Sequence, residues 1–176
     1  MRNKFTEEID KLRNNGSVDQ KIMQTFLDRL KKGSLTRDES PIEHFCSFFL
    51  PVDKKSKMIF IGHHIKADDW IPPGGHIDRG ESPRDTVYRE FKEELDYILT
   101  YEEIKVFDIC IVPVRKTTRP CRTHYDFWYK VVIDKIDFTF DRKEFYDAAW
   151  LPMEEALKRV KRDVYREVLQ KLANII

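Results

Sequence analysis

Residues 75–97, GHIDRGESPRDTVYREFKEELDY, give the strongest indication of how this chain folds. Its first part is rich in glycine and breaks regular structure, whereas its second part has the periodicity of a helix. Ser82 is a candidate N-cap and Pro83 stands at the first helical position, where its missing N–H costs nothing. Asp85 favours the positive end of the helix. We therefore predict a helix from Ser82 to about Ile98.

One edge of this predicted helix carries three carboxylates. At ~100° per residue the apolar side chains fall on one side, which must face the rest of the protein. Glu90 and Glu94 lie beside this stripe and Glu93 lies one step further out. Like charges at these spacings repel by roughly a few tenths of a kcal/mol per pair. Arg89, four residues before Glu93, supplies part of the compensation, and hard divalent cations would supply the rest. The apolar side chains are Val87, Phe91, Leu95 and Ile98.

The spacing of these residues resembles the box of the Nudix family: Gly, five residues, Glu, seven residues, Arg-Glu, an apolar residue, any residue, Glu-Glu. The glutamates alone would suit a solvated surface helix, but the complete register favours the resemblance. Asp96 stands where the family has Gly, and Asp tolerates the left-handed conformation better than most residues. We expect a shifted or less sharp helix end with the metal ligands unaffected. The matching residues are Gly75, Glu81, Arg89, Glu90, Phe91, Glu93 and Glu94.

The resemblance extends beyond the box, from about residue 42 to 160. Residues 70–76 (WIPPGGH) look like the segment that leads into the family's box, and residues 145–157 look like its closing strand and helix. Strands interrupted by one glutamate-rich helix and followed by further helices indicate a mixed sheet with helices on both faces. The resemblance implies an α+β fold: the Nudix α/β/α sandwich around a central mixed β-sheet.

The resemblance does not cover the N-terminus. Residues 1–35 predict a helical hairpin extension, in which Ser17 is a plausible N-cap of the second helix, and residues 36–176 form the predicted Nudix hydrolase domain. We expect the hairpin to pack on its own domain. A contact within a homodimer and a substrate lid are the alternatives.

The resemblance also implies a set of ligands for Mg²⁺ or Mn²⁺. Carboxylate oxygens suit both ions, which keep several waters and bind phosphate oxygens of the substrate. Glu81 would add a contact that is often mediated by water. The implied ligands are Glu81, Glu90, Glu93, Glu94 and the backbone carbonyl of Gly74.

Further roles concern catalysis. By resemblance, Arg89 would orient the carboxylates, and its alternative is an ordinary surface arginine. Family members use either a box glutamate or an acidic residue on a late loop as general base. Glu90 is the first candidate and Glu144 the second, with a solvated loop carboxylate as the alternative for Glu144.

Candidate substrate-binding residues lie in the strand HYDFWYKV and in the loop before it. His124 and Asp126 share a face of the strand and would line the substrate cleft, although a cross-strand polar pair fits equally well. Arg119 and Arg122 belong to a basic loop that would receive phosphates, or that is basic as hairpin loops often are.

Composition limits the partners. With 32 Lys and Arg against 31 Asp and Glu, the net charge of +1 provides no global field, so nucleic acid is not an expected partner. The three widely spaced cysteines contain no CxxC pair, which fits neither a disulfide framework nor a zinc site. No apolar run approaches the ~18 residues of a membrane span. We expect a cytoplasmic protein.

The resemblance implies a metal-dependent enzyme. Its reaction would be hydrolysis of a diphosphate bond in a nucleoside diphosphate linked to another moiety, with water attacking phosphorus. The alternative is a Nudix-like module that binds or senses a nucleotide without hydrolysing it.

Overall fold

The computed structural model describes residues 2–15, 18–100, 103–114 and 120–176. Within these ranges none of the helices is both long enough and apolar enough to cross a membrane. The elements in chain order are α1 (Arg2–Asn15), α2 (Gln20–Lys31), β1 (Glu43–Asp53), β2 (Ile59–His64), β3 (Asp69–Ile71), β4 (Gly74–His76), α3 (Pro83–Leu95), β5 (Glu103–Pro113), β6 (Thr123–Ile133), β7 (Phe145–Leu151), α4 (Met153–Arg159) and α5 (Asp163–Ala173).

The strands form one mixed sheet of order β3-β2-β1-β6-β5. β1 and β6 are parallel over eleven residue pairs, from Glu43↔Thr123 to Asp53↔Ile133. The other described pairings are antiparallel, and among them β4 pairs with β1 and β7 with β2. β1 therefore lies at the centre of the sheet, which explains why ten of its eleven residues are buried.

Alternation along β1 divides the core between the two faces of the sheet. Phe45 and Phe49 point to one face, where they join residues of α1, α2 and α3. Phe48 and Leu50 point to the other face, where they join residues of α4 and α5. Because successive side chains of a strand point in opposite directions, one strand supplies both layers. The predicted α+β fold, an α/β/α sandwich around a mixed sheet, is confirmed.

The N-terminal hairpin packs on its own sheet. The ring of Phe5 lies 5.4 Å from that of Phe45, and the ring of Phe26 lies 5.5 Å from that of Tyr125. Burying one such side chain stabilises a fold by roughly 1.5–3 kcal/mol. The packing of the hairpin is as expected, whereas a domain boundary after residue 35 and a homodimer remain predictions.

The start of α2 differs from the sequence prediction. Asp19 is the N-cap, and its Oδ1 accepts hydrogen bonds from the backbone N–H groups of Lys21 at 2.8 Å and Ile22 at 3.2 Å. Ser17, the predicted cap, lies outside the described residues. The side chains of Asp and Ser cap a helix N-terminus about equally well, so the sequence alone did not distinguish Asp19 from Ser17 two residues before it.

Helix α3 has the predicted start. Ser82 Oγ accepts from the backbone N–H of Asp85, and Asp85 Oδ2 accepts from that of Ser82, which completes a capping box. The helix ends at Leu95, because Asp96 adopts the left-handed conformation with φ 48° and ψ 36°. The expected shift of the helix end was therefore wrong: the Asp takes the place of the family's Gly, and the Lys92 ammonium donates to its carboxylate. Ile98 lies beyond the helix and is exposed.

Candidate active site

A single guanidinium joins three of the box glutamates. Arg89 donates from Nε to Glu81 at 2.7 Å, and from Nη1 to Glu90 at 2.8 Å and to Glu93 at 3.0 Å. Its Nη2 donates to the backbone carbonyl of His76 at 3.0 Å. The planar fork of an arginine makes such multiple contacts possible, which a lysine cannot match. Arg89 therefore fixes the relative positions of these carboxylates and of β4.

Glu94 stands apart from this network. Its Oε2 accepts from the backbone N–H of Gly74 at 2.7 Å. Burial, and next the charge of Glu90, raises the pKa of Glu94 well above its usual value, and the Gly74 hydrogen bond opposes this. The pKa of Glu90 is also raised, by burial first, although Arg89 opposes it. When the pKa values of two neighbouring buried carboxyl groups are both raised, the positive charge around them does not suffice to stabilise their ionised forms.

Glu81 behaves differently. Burial alone would raise its pKa, but hydrogen bonds from Arg89, Thr86 and the backbone of Asp78 outweigh burial and lower it. Glu81 is thus held as a carboxylate by protein donors, and its two oxygens accept from Arg89 Nε at 2.7 Å and Nη2 at 3.1 Å.

The two glycines of β4 leave room for these side chains. A Cβ on Gly75 would lie 2.2 Å from Glu90 Oε1, and a Cβ on Gly74 would lie 2.4 Å from the carbonyl oxygen of Ser47. Gly74 also has φ +138°, which an L side chain rarely adopts. The pair GG is therefore required for the carboxylates to lie against the strand.

The box glutamates face a polar cavity of about 740 Å³. Its wall includes Glu90, Glu93 and Glu94, and Glu144 and Asp141 on the loop before β7 complete the acidic side. Lys66 and Arg37 also line the cavity and bring positive charge. The structure thus brings together four of the acidic residues that the sequence singled out, and the role of each remains a prediction.

Glu144 is held by two side chains from the β2–β3 turn region. Its carboxylate forms an ion pair with the Lys66 ammonium, and Oε2 lies 3.4 Å from His64 Nε2. His64 Nδ1 accepts from the backbone N–H of Lys66 at 3.0 Å and of Ala67 at 3.1 Å, which leaves Nε2 as the ring's N–H toward Glu144. The loop carboxylate is thereby directed toward the acidic cavity.

A second cavity of about 850 Å³ adjoins the first, and both are lined by Gly74, Gly75, His76 and Cys121. Apolar side chains of the sheet and of α5, among them Phe48 and Tyr165, contribute to its wall. We call the first cavity the acidic lobe and the second the apolar lobe.

The predicted substrate-binding residues fall in different places. His124 lines the apolar lobe. Asp126 does not line it: this carboxylate is 0% exposed, because β6 runs between β1 and β5, and burial raises its pKa to about 8. Arg122 is exposed outside both lobes, where its guanidinium donates to the carbonyl of Cys121 at 3.0 Å. Arg119 lies outside the described residues.

Several cleft residues were missed by sequence reasoning. Lys66 and Asp141 lie in turns whose neighbours in space cannot be deduced from local pattern. His76 follows the two glycines directly, so its place in the lead-in segment was a signal that the site was near. His64 closes an apolar strand, which alone predicts no more than a position at the end of that strand.

The donor set fits a hard divalent cation. Glu90 and Glu94 are both buried and lie one helical turn apart. Within the described residues, Glu90 accepts a hydrogen bond from the Arg89 cation, whereas Glu94 accepts one from the backbone amide of Gly74. Oxygen donors from carboxylates and a nearby carbonyl are what Mg²⁺ and Mn²⁺ prefer. The geometry is therefore compatible with the predicted metal site.

Comparison with known proteins identifies the family of this chain. The model of the family described as NUDIX domain matches residues 47–172. An RNA pyrophosphohydrolase of Ruthia magnifica subsp. Calyptogena magnifica is 24% identical over 144 residues, covering 71% of this chain and 79% of that protein. An RNA pyrophosphohydrolase of a Nitratiruptor species is 29% identical over 128 residues, covering 66% and 82%.

Solved structures share the fold. The E. coli dihydroneopterin triphosphate pyrophosphohydrolase superposes with a TM-score of 0.66 at 14% identity, covering 72% of this chain and 92% of that one. A C. elegans Ap4A hydrolase in a binary complex gives 0.57 at 18%, covering 76% and 96%. The family model matches well over half of the chain, and the chain therefore belongs to the NUDIX family, the family of pyrophosphohydrolases that its glutamate pattern predicted.

Proposed function

We propose that this protein hydrolyses a diphosphate bond in a nucleoside diphosphate linked to another moiety, with Mg²⁺ or Mn²⁺ as cofactor. The observation that carries the proposal is the pair of buried carboxylates, Glu90 and Glu94, beside the exposed carboxylate of Glu93 in one cavity. Such an arrangement costs free energy without a cation, and the relatives include pyrophosphohydrolases.

The two lobes support a substrate with a diphosphate and a bulky organic group. The acidic lobe suits the metals and the diphosphate, and Lys66, which lines both lobes, supplies positive charge where the two meet. In the apolar lobe, Lys161 and Arg162 lie beside apolar side chains. A pocket with apolar walls and few charged groups is typical of sites for organic ligands.

Residues in and beside the acidic lobe divide into proposed metal ligands, residues that orient these ligands and a cation for the phosphate. Glu90, Glu93, Glu94 and the carbonyl of Gly74 would hold the metals, which neutralise phosphoryl charge and lower the pKa of a bound water. Arg89 and Glu81 orient these ligands through the hydrogen bonds described above. The Lys66 ammonium positions a phosphate oxygen.

Glu90 is the proposed general base and Glu144 a positioning residue. Glu90 lines the acidic lobe among the proposed metal ligands, where one of its carboxylate oxygens would lie within reach of a metal-bound water. Glu144 is occupied by Lys66 and His64. We expect Glu90→Gln to reduce kcat by ~10²–10⁴-fold and Glu144→Gln by less than ~10-fold. A larger loss in Glu144→Gln than in Glu90→Gln, measured at saturating Mn²⁺, would exchange the two assignments.

The central test uses Glu93→Gln with Glu94→Gln. Nucleoside di- and triphosphates, dinucleoside polyphosphates, ADP-ribose and nucleotide sugars are incubated with Mg²⁺ or Mn²⁺, and products are separated by chromatography. We expect the wild type to cleave a nucleoside diphosphate linked to a second group, and the double variant to lose metal-dependent turnover. Circular dichroism checks that the variant is folded, and Glu154→Gln with Glu155→Gln on α4 is the matched control.

Two outcomes would contradict the proposal. Undiminished turnover in the double variant would separate the reaction from the box glutamates. Tight nucleotide binding by calorimetry, with no product from any compound, would assign the chain to the alternative class, a Nudix-like sensing module.

A further inference from the structure

A second group of metal-binding side chains lies behind β4. His44 on β1, His76 at the end of β4, His124 on β6 and Cys121 just before β6 each offer one donor atom, and these atoms lie within 4.8 Å of one another. The box glutamates are not part of this group. We call these four residues the imidazole–thiol cluster.

Sheet register produces the cluster. His44 and His124 are partners in the parallel β1–β6 pairing, and His76 is paired with Cys46, two residues along β1. Their rings are close: the centroids are 4.8 Å apart for His44 and His76, 4.9 Å for His44 and His124, and 5.1 Å for His76 and His124.

The hydrogen bonding of His44 leaves its Nε2 atom as an acceptor. His44 is fully buried, and its Nδ1 lies 2.9 Å from the backbone carbonyl of Ser40, which can only accept a hydrogen bond. Nδ1 therefore carries the proton, and the lone pair of Nε2 faces Cys121 Sγ at 3.8 Å. A carbonyl that fixes the far nitrogen of a histidine is the usual outer contact of a metal-binding imidazole.

A buried acid lies beneath the cluster. Asp126 is 0% exposed, and among the described residues neither of its oxygens meets a nitrogen or oxygen donor. Its carboxylate lies within 4.8 Å of the donor atoms of His124 and Cys46. A carboxylic acid at this position can accept a hydrogen bond from the ring of a metal-bound histidine, which is a usual outer contact of a metal site.

We propose that the imidazole–thiol cluster binds one Zn²⁺ through His44, His76, His124 and Cys121. Zinc–nitrogen distances of ~2.0–2.1 Å and a zinc–sulfur distance of ~2.3 Å place the ligands of a tetrahedral ion with one sulfur roughly 3.3–3.6 Å apart. Cys121 Sγ and His44 Nε2 lie 3.8 Å apart, so only a small closing movement would bring this pair to the separation of zinc ligands. On binding, Cys121 releases its thiol proton to solvent and ligates as the thiolate.

Four protein ligands leave no open coordination position, so the ion is structural. It ties the segment before β6 to β1 and β4, where both lobes of the cleft meet. The guanidinium of the exposed Arg37 lies 3.5 Å from His76 Nδ1, so the proposal requires that His76 ligates through Nε2 or that Arg37 gives up this contact. The proposal is independent of which substrate the enzyme cleaves.

The test is a titration of the reduced, chelator-treated protein with Co²⁺ alone, followed by Zn²⁺ competition. We expect one Co²⁺ per chain to give a thiolate-to-Co²⁺ charge-transfer band and the intense ligand-field bands of a tetrahedral ion, whereas Co²⁺ bound by carboxylates in the acidic lobe gives no thiolate band. Cys121→Ser should abolish the thiolate band, and His44→Gln should weaken Zn²⁺ binding beyond the ~100-fold that outer-shell changes cost. Cys110→Ser, whose sulfur accepts from Trp128 Nε1 at 3.0 Å, is the matched control and keeps the band.

Glu93→Gln with Glu94→Gln separates this site from the proposed active site. That variant should keep the thiolate band while losing metal-dependent turnover. X-ray absorption at the zinc edge of the wild type, with one sulfur and three nitrogen neighbours expected, makes the test independent of whether the variants fold. The proposal is overturned by a first shell without sulfur, by a thiolate band that survives Cys121→Ser, or by wild-type protein that shows no thiolate-to-Co²⁺ band when its thiols are reduced.

Discussion

The two groups of donors on either side of β4 differ in chemistry and in origin. The carboxylates of the acidic lobe come mainly from one helix and lie within a few residues of one another in the chain. The imidazole–thiol cluster comes from three strands and the segment before β6, and its members span residues 44–124. Oxygen donors suit Mg²⁺ or Mn²⁺, whereas nitrogen and sulfur donors suit Zn²⁺. The two proposed sites therefore differ in the metal they would prefer, although they share strand β4.

Gly75→Ala is expected to give the largest difference between the two groups. The new Cβ would lie 2.2 Å from Glu90 Oε1, so the carboxylate must move out of the acidic lobe. A misplacement of about 1 Å costs ~10²-fold in rate. We expect at least that loss of kcat/KM, with the thiolate-to-Co²⁺ band of the other site retained. Steady-state kinetics and the Co²⁺ spectrum measure the two effects on one sample.

Gly33→Ala provides the control for backbone strain. Gly33 has φ +74° and no atom within 4 Å of an added Cβ, so this substitution is strained without a clash. It should lower the melting temperature and leave kcat/KM unchanged. Equal losses of activity in the two variants would mean that a general loss of stability, and not the position of Glu90, governs the result.

Arg89→Lys tests whether geometry or charge holds the acidic lobe together. A lysine keeps the positive charge but cannot bond Glu81, Glu90 and Glu93 together. We expect a roughly 10-fold loss of kcat/KM and a higher Mg²⁺ concentration for half-maximal activity, in line with the 10–100-fold cost of outer-shell changes. Arg159→Lys, at a surface pair with Glu155 on α4, is the matched control. Wild-type activity in Arg89→Lys would mean that Arg89 contributes its positive charge and that its hydrogen-bond geometry is not needed.

The contrast between the two groups also explains what the sequence could predict. Arg89, Glu90, Glu93 and Glu94 have local spacing on a helix with a recognisable cap, and Glu81 lies just before that cap, so the family and the fold followed from the chain alone. The cysteines were judged unfit for zinc because no two stood at CxxC spacing, and Cys121 meets His44 only through the β1–β6 register. Asp126 was placed in the cleft because alternation gives the face of a strand but not the depth of burial.

The smallest expected effect concerns Asp53, whose carboxylate is stabilised by hydrogen bonds from the protein and belongs to neither proposed metal site. Its Oδ2 accepts from Ser56 N at 2.7 Å, and its Oδ1 accepts from Lys135 N at 2.8 Å, and the Ser56 hydrogen bonds chiefly lower its pKa from 3.8 to about 2. A depressed folded-state pKa stabilises the protein above the unfolded value, and that contribution disappears as pH falls from 3.8 through about 2. Asp53→Asn should therefore be less stable than wild type in urea at pH 7, with the difference shrinking across this window and unaffected by chelators. A difference that changed with added Mg²⁺ would show that Asp53 also depends on a metal ion, and that hydrogen bonds from the protein do not suffice to stabilise its carboxylate.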